Sequence, residues 1–328
     1  MSELAQHPDT VTTAAGPRPP ILPRPAPSAT PAPYLALGLL ALIWGASFLF
    51  IKLAIQDMSP AALVLIRALS AVATLWVILL ATGRAPSLRD LKGRTLNFLV
   101  MGLFGSLIPW YLFNWSEIYI SSGLASIFNA TTPLWTAIFA IWVTPNERPG
   151  RINFVGVGLG LAGTLVLFAP DLIRSGANPA TIGSGAALLA SAVYAAGALF
   201  QRRRMDGIDP FKAAFWQMAM TALVGLPLAL PTIASVRLEP LGLAAALVLG
   251  VIGSGLAYIL YYYLLNTLGG TRATTVTFLL PVTAVFWGVV LLHERLTVPI
   301  LVGMAVILAG VALVSLPSRK RATGAAAR

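Results

Sequence analysis

GLFGS at residues 102–106 and GVIGS at residues 250–254 are one five-residue mark written twice, 148 positions apart. Pro133 and Pro281 lie at the same offset, and Asn146-Glu147-Arg148 aligns with His293-Glu294-Arg295 after a one-residue shift. VGVGLGLAGTLVL (155–167) then pairs with VGMAVILAGVALV (302–314). Earlier in each copy, Phe50 and Phe200, Lys52 and Arg202, and Pro60 and Pro210 are each 150 apart. Chance likeness between apolar segments does not bring Gly, Pro and Glu-Arg marks into register. The chain is two copies of one unit, with an offset that drifts through loop insertions.

The 328 residues are 57% hydrophobic and 10% charged, with mean hydropathy +0.82. A soluble domain carries roughly 25% charged residues. The 22 Lys and Arg and 11 Asp and Glu of this chain are too few to cover a water-exposed surface, so the solvent is a bilayer. Cysteine is absent, which removes disulfides, thiol nucleophiles and thiolate metal sites. The two histidines, His7 and His293, are far apart in sequence and offer neither a His-cluster metal site nor a His-based triad.

Residues 1–33 are rich in Pro, Ala and Thr without apolar periodicity and read as a disordered cytoplasmic tail, not a signal peptide. Beyond it the sequence breaks into runs of about 20 apolar residues, the length a helix needs to cross the hydrocarbon. Spans are expected near 34–55, 61–82, 96–116, 121–143, 151–169, 182–202, 212–231, 240–264, 271–292 and 297–316. This predicts an all-α polytopic membrane protein of ten transmembrane helices. The first five-helix repeat occupies 34–169, the second 182–316, and 317–328 is a basic cytoplasmic tail. Seventeen of the 22 Lys and Arg residues fall in the tails and the connections on their side, while the opposite side holds Arg174, Arg237 and Arg295. That asymmetry predicts a multi-pass protein of the cell inner (plasma) membrane with both termini cytoplasmic, and accounts for the net charge of +11 without nucleic acid. Five spans is an odd number, so the second repeat enters from the opposite face. Inverted repeats offer two pseudo-equivalent arrangements around a midplane site, which predicts a secondary transporter working by alternating access.

The segment LIWGASFLFIKLAIQDMSPAALVLIRAL (42–69) resembles the opening of EamA-type proteins of the drug/metabolite transporter superfamily. It holds a Trp-Gly pair, a basic residue, a Ser-Pro turn and an Arg in the second helix. SSGLASIFNATTPLWTAIFAIWVTPNERP (121–149) and GGTRATTVTFLLPVTAVFWGVVLLHERLT (269–297) are similar to the family's fourth and ninth helices. The fourth departs by ending Thr-Pro-Asn-Glu-Arg, with a Pro and an added residue. The resemblance implies a permease for small organic metabolites such as amino acids, with export as the direction, and does not name the cargo.

Polar groups in the hydrocarbon core tend to face a cavity or a partner. Ser106, Trp110, Asn114 and Glu117 share one face of the third helix, and their mates Ser254, Tyr258, Tyr262 and Leu265 share one face of the eighth. This aromatic-polar stripe is a candidate substrate wall, against the plainer reading of interfacial belt residues. Asn129 and Thr132 flank Pro133 in the fourth helix, with Thr277 and Pro281 as counterparts in the ninth. Mid-span prolines are candidate hinges; the alternative is a static kink. Trp44 with Ser47, and Tyr194, align across the repeats as further lining residues. Lys52 and Arg67 are cations inside spans and call for an anion: Asp57, Glu117 or a substrate carboxylate. Arg67 is expected to be structural, paired with a protein carboxylate. Glu117, the acidic residue nearest the pocket, is the candidate for proton coupling.

Gly158-Leu-Gly160-Leu-Ala-Gly163 matches a dinucleotide fingerprint in letters only. It sits in an apolar span with no preceding strand, and reads as small-residue helix packing. No GxxxxGK[ST] run is present, no catalytic residues suggest themselves, and no cofactor or metal is implied. The expected partners are a small-molecule substrate and membrane lipids, and the chain fits a monomer or a homodimer. The competing readings are an integral-membrane enzyme and an uncoupled facilitator or channel.

Overall fold

The computed structural model describes residues 31–143, 150–176, 178–205, 207–268 and 275–316, and among these the chain is wholly helical with no strand. Residues 1–30 and 317–328, with Glu147, Arg148 and Arg272, lie outside the described residues, and the first helix begins at Ala32, inside the stretch read as tail. Helix starts follow a local rule in which a capping residue precedes a proline. The Ser59 hydroxyl accepts from the Ala62 N–H at 3.1 Å, Asn178 from Thr181 at 2.9 Å, and Asp209 from Phe211 and Lys212. Each is followed by Pro, whose missing N–H and fixed φ suit the first helical turn.

The helices in order are α1 (Ala32–Ala54), α2 (Pro60–Ala81), α3 (Thr95–Ser116), α4 (Ser122–Val143), α5 (Arg151–Ser175), α6 (Pro179–Arg204) and α7 (Pro210–Ser235). There follow α8 (Pro240–Val248 running on through Leu249–Leu256 and Ala257–Leu268), α9 (Val276–Leu292) and α10 (Val298–Ser315). Among the described residues nine helices are long and apolar enough to cross a bilayer, and α9 is a shorter apolar helix of 17 residues.

Packing repeats when the halves are exchanged. Helix α1 packs on α8 and α9, and α6 packs on α3 and α4; α2 packs on α8, and α7 on α3. The pairs α2–α7 and α5–α10 map onto themselves. With five crossings per half, this is the pairing of an inverted repeat. The twice-written mark has a structural counterpart, since Leu103–Leu107 in α3 and Leu249–Leu256 in α8 are π-helical turns. The widened backbone lets the opposite half approach. A Cβ on Gly102 would lie 3.0 Å from the Thr221 backbone N, and one on Gly250 would lie 2.7 Å from the Arg67 carbonyl oxygen.

The glycine run of α5 is a packing surface at Gly160 and Gly163, together with Gly156, but not at Gly158, which faces open space. Gly156, Gly160 and Gly163 of α5 meet Gly303, Ile307 and Gly310 of α10 backbone to backbone. The Asn153 amide closes the end of this pair by donating to the carbonyls of Leu313, Val314 and Leu316. Helix α4 is broken: Ser122–Asn129 and Thr132–Val143 are separate helical segments, with Pro133 in the first turn of the second. The Thr132 hydroxyl donates to the Asn129 carbonyl, which Pro133, having no N–H, leaves without its helical donor. Around Pro281, by contrast, α9 is continuous. At one end of the bundle Arg84 meets Asp209 at 3.3 Å and Lys212 meets Asp90 at 3.1 Å, joining the α2–α3 and α6–α7 connections. Burial alone would raise the Asp90 carboxyl, but the Ser87 N–H, Lys212 and the Trp216 indole outweigh it and hold Asp90 below its ordinary value.

Candidate functional site

Between the halves lies a cavity of about 350 Å³ walled by both repeats. Helix α1 contributes Trp44, Ser47, Phe48 and Ile51, and α2 contributes Arg67. Helix α3 adds Gly105, Trp110 and Phe113, and the broken stretch of α4 adds Asn129, Ala130, Thr132 and Pro133. From the second half come Tyr194, Ala198, Gly253, Ser254, Tyr258, Thr277 and Leu280. Both π-helical turns face this space, as do both aromatic residues that follow them, Trp110 and Tyr258.

The rings are held in place. The Trp44 indole N–H donates to the Gly253 carbonyl at 3.1 Å, crossing from α1 to the π turn of α8, and its ring tilts against Tyr261 at 5.5 Å. Phe113 sits edge-on to Phe48 at 5.8 Å and beside Tyr194 at 6.0 Å. The Arg67 guanidinium lies 3.8 Å from the Trp110 ring centroid, and its Nε–H donates to the Ser254 hydroxyl at 2.9 Å. Arg67 differs from the sequence expectation: no described carboxylate lies within ion-pair distance of it, and it lines the cavity instead.

Other named residues stand outside this wall. Ser106 is fully buried and accepts from Gln217 Nε2 at 2.8 Å, and Asn114 is turned to donate to the Pro60 carbonyl at 3.2 Å. Glu117 is fully buried, and neither carboxylate oxygen accepts a hydrogen bond among the described residues. The Lys52 ammonium donates to the backbone carbonyls of Glu117 and of Ile120, the latter at 2.9 Å. Glu294 completes that end of the bundle, since its carboxylate accepts the Ser122 N–H at 2.7 Å and the Gly123 N–H at 3.1 Å. An anion at a helix N-terminus and a cation at a helix C-terminus are the favourable polarities. Pro281 is buried in α9, and the side chain of Tyr262 lies outside the described set. Phe48, Ile51 and Phe113 are lining residues that composition does not mark, being apolar in apolar spans. Spacing does mark two of them: Phe48 is one turn after Trp44, and Phe113 three residues after Trp110.

The sequence matches the model of the EamA-like transporter family twice, over residues 32–169 and 181–316. The chain belongs to the EamA-like transporter family. Within the family it is similar to the uncharacterized inner membrane transporter YedA of Escherichia coli (strain K12), 29% identical over 293 residues covering 86% of this chain and 90% of YedA. It is also similar to the uncharacterized transporter YoaV of Bacillus subtilis (strain 168), 22% identical over 272 residues covering 82% and 92%. One solved crystal structure superposes with a TM-score of 0.60 at 20% identity, covering 88% of this chain and 99% of the other, a likeness of fold. The EamA chain described here is a multi-pass membrane protein.

Proposed function

We propose that this chain is a secondary transporter of the inner (plasma) membrane that exports small organic metabolites, amino acids among them, by alternating access. Residues 34–169 and 182–316 are its two moving halves, and both tails are cytoplasmic. The observation that carries the reading is a cavity with polar and aromatic lining, walled by both inverted halves. Its rings supply faces for a carbon skeleton, while Ser47, Asn129, Thr132 and Thr277 supply polar contacts. The relatives bear transporter names, and inverted halves provide two pseudo-equivalent closures. The ties made by Lys52 and Glu294 act as one of those closures, at the end away from the Arg84–Asp209 contact. The broken α4 supplies the flexible element at Asn129–Pro133. Glu117, buried without a hydrogen-bond donor, is the group we assign to proton coupling. The cavity is built within one chain, so a monomer suffices, and the site acts as a carrier and not as an enzyme.

The test is reconstitution into liposomes with a panel of labelled amino acids and metabolites, with and without a pH gradient. Saturable flux above that of protein-free vesicles is expected, accelerated by the gradient, with the acceleration lost in Glu117→Gln. Flux equal to protein-free vesicles across the panel overturns the reading. Saturable flux indifferent to the gradient keeps the carrier and removes Glu117 from coupling.

A further inference from the structure

We infer that the cavity is built for an organic monoanion, a small carboxylate whose apolar or aromatic body lies among the rings and whose charge is held by Arg67. This deepens the transport reading and rests on it for the identity of the cavity as the cargo site.

The argument starts from a comparison that the repeat supplies within the molecule. Arg67 on α2 donates from Nε to Ser254 in the π turn of α8 at 2.9 Å. Gln217, 150 positions later on α7, donates from Nε2 to Ser106 in the π turn of α3 at 2.8 Å, and Ser106 lies 148 positions before Ser254. The two bridges are the same joint made once in each half. A neutral amide makes it in one copy, so the positive charge in the other copy is not needed for the joint. The charge appears in the copy whose side chain lines the cavity; Gln217 and Ser106 do not line it.

That charge is costly where it stands. Arg67 is 7% exposed, and the buried Glu117 carboxylate lies beyond ion-pair distance of it; a guanidinium at bilayer depth with no carboxylate in contact is disfavoured. The Trp110 ring face offsets part of this through its quadrupole but brings no negative charge. The terminal nitrogens Nη1 and Nη2 donate to no described group. No Asp or Glu is among the described lining residues, and among them Arg67 alone carries a formal charge. Such a site repels an ammonium and leaves a planar two-pronged donor to receive an oxyanion, so within the metabolites proposed above it favours those of net charge −1 over zwitterionic amino acids. Charge selects a carboxylate over a phosphate ester, which carries about −1.5 to −2 at neutral pH. Lys52 is not among the described lining residues, and its ammonium points to the carbonyls of Glu117 and Ile120. The surrounding faces of Trp44, Trp110, Phe113 and Tyr194 are apolar and suit a hydrocarbon body.

The test compares three ligands of one shape: hydrocinnamate, hydrocinnamamide and phenethylamine. Binding to the full chain in lipid nanodiscs is followed by calorimetry, and flux of each in proteoliposomes is measured alongside. The wild type is expected to bind the carboxylate about tenfold to a hundredfold tighter than the amide, the range for hydrogen bonds to a charged group. The amine should bind more weakly still. Arg67→Gln installs the residue that the other half already carries, so it keeps the bridge to Ser254. It should lose the preference, binding carboxylate and amide with similar affinity. Arg67→Lys, which keeps the charge without the fork, should retain a reduced preference. Wild-type protein that binds the amide or the amine as tightly as the carboxylate overturns the inference, and needs no variant to do so. So does an Arg67→Gln protein that keeps the wild-type preference. Failure of the transport reading is seen separately, as flux of all three compounds no faster than through protein-free vesicles.

Discussion

Substituting Gly310 by alanine should separate the two halves where their fifth helices meet. A Cβ at Gly310 would lie 2.5 Å from the Gly160 backbone N and 2.7 Å from both the Gly156 carbonyl oxygen and the Gly160 Cα. All three are backbone atoms, so no rotamer change relieves the overlap. Reaching ordinary contact at 3.4 Å requires α10 to withdraw from α5 by about 0.9 Å. A radial gap of about that size forfeits roughly a quarter to a half of each dispersion well along the interface. The expected cost is about 1–3 kcal/mol, as for overpacking elsewhere. That shifts the folded-to-unfolded ratio by about 5- to 150-fold. The control is Gly158→Ala, on the α5 helix itself, where an added Cβ meets nothing within 4 Å and improves helix propensity. Unfolding in mixed micelles, titrated with a denaturing detergent and followed by circular dichroism, gives both midpoints. Gly310→Ala should unfold at distinctly lower denaturant while Gly158→Ala equals or exceeds the wild type. If the two variants unfold together, the close α5–α10 contact does not exist as described.

Other consequences are as specific. Glu294→Gln replaces a carboxylate that accepts two backbone N–H groups by an amide that accepts one, so hydrogen exchange at Ser122 and Gly123 should accelerate by about tenfold or more; unchanged protection refutes the tie. Trp110→Ala removes the ring over Arg67 and one cavity wall, so KM for transport should rise about 2- to 30-fold or flux should be lost, and wild-type kinetics would remove Trp110 from the site. Asp90 is held below its ordinary value, so its contribution is complete above about pH 4 and fades as pH falls through the lower folded value. Asp90→Asn should therefore flatten the fall in unfolding midpoint between about pH 6 and about pH 3, and parallel curves for wild type and variant would refute the assignment.

The spans, the repeat and the small-residue character of α5 were legible because each rests on a short-range rule: run length, glycine spacing, capping residue before proline. Trp110 and Tyr258 were legible through their register across the repeat. What the sequence hid has a physical cause in each case. The stripe from Ser106 to Glu117 assumes a steady 3.6-residue period, and the π turn at Leu103–Leu107 interrupts that period, which leaves Ser106 off the cavity wall while Trp110 lines it. Asn114 has a helix start, the Pro60 carbonyl, within reach, and a polar side chain in lipid takes the nearest partner. Pro133 and Pro281 look equivalent, yet α4 is broken and α9 is not; Thr132, whose hydroxyl covers the freed carbonyl, has Leu280 at its repeat position. That no described carboxylate is in ion-pair contact with Arg67 could not be read from spacing, since it depends on the rotation of α2 against α8.

The central claim is that one half is threaded through the membrane upside down relative to the other. Because the chain has no cysteine, single reporters can be placed without a background. Ala85, in the α2–α3 connection, and Ala234, in the corresponding stretch of the second half, are both exposed. With a membrane-impermeant maleimide, Ala234→Cys should be labelled in intact cells and Ala85→Cys only after permeabilisation. Labelling of both from the same side would contradict the inverted arrangement and, with it, a cavity that two mirror-placed closures can serve in turn.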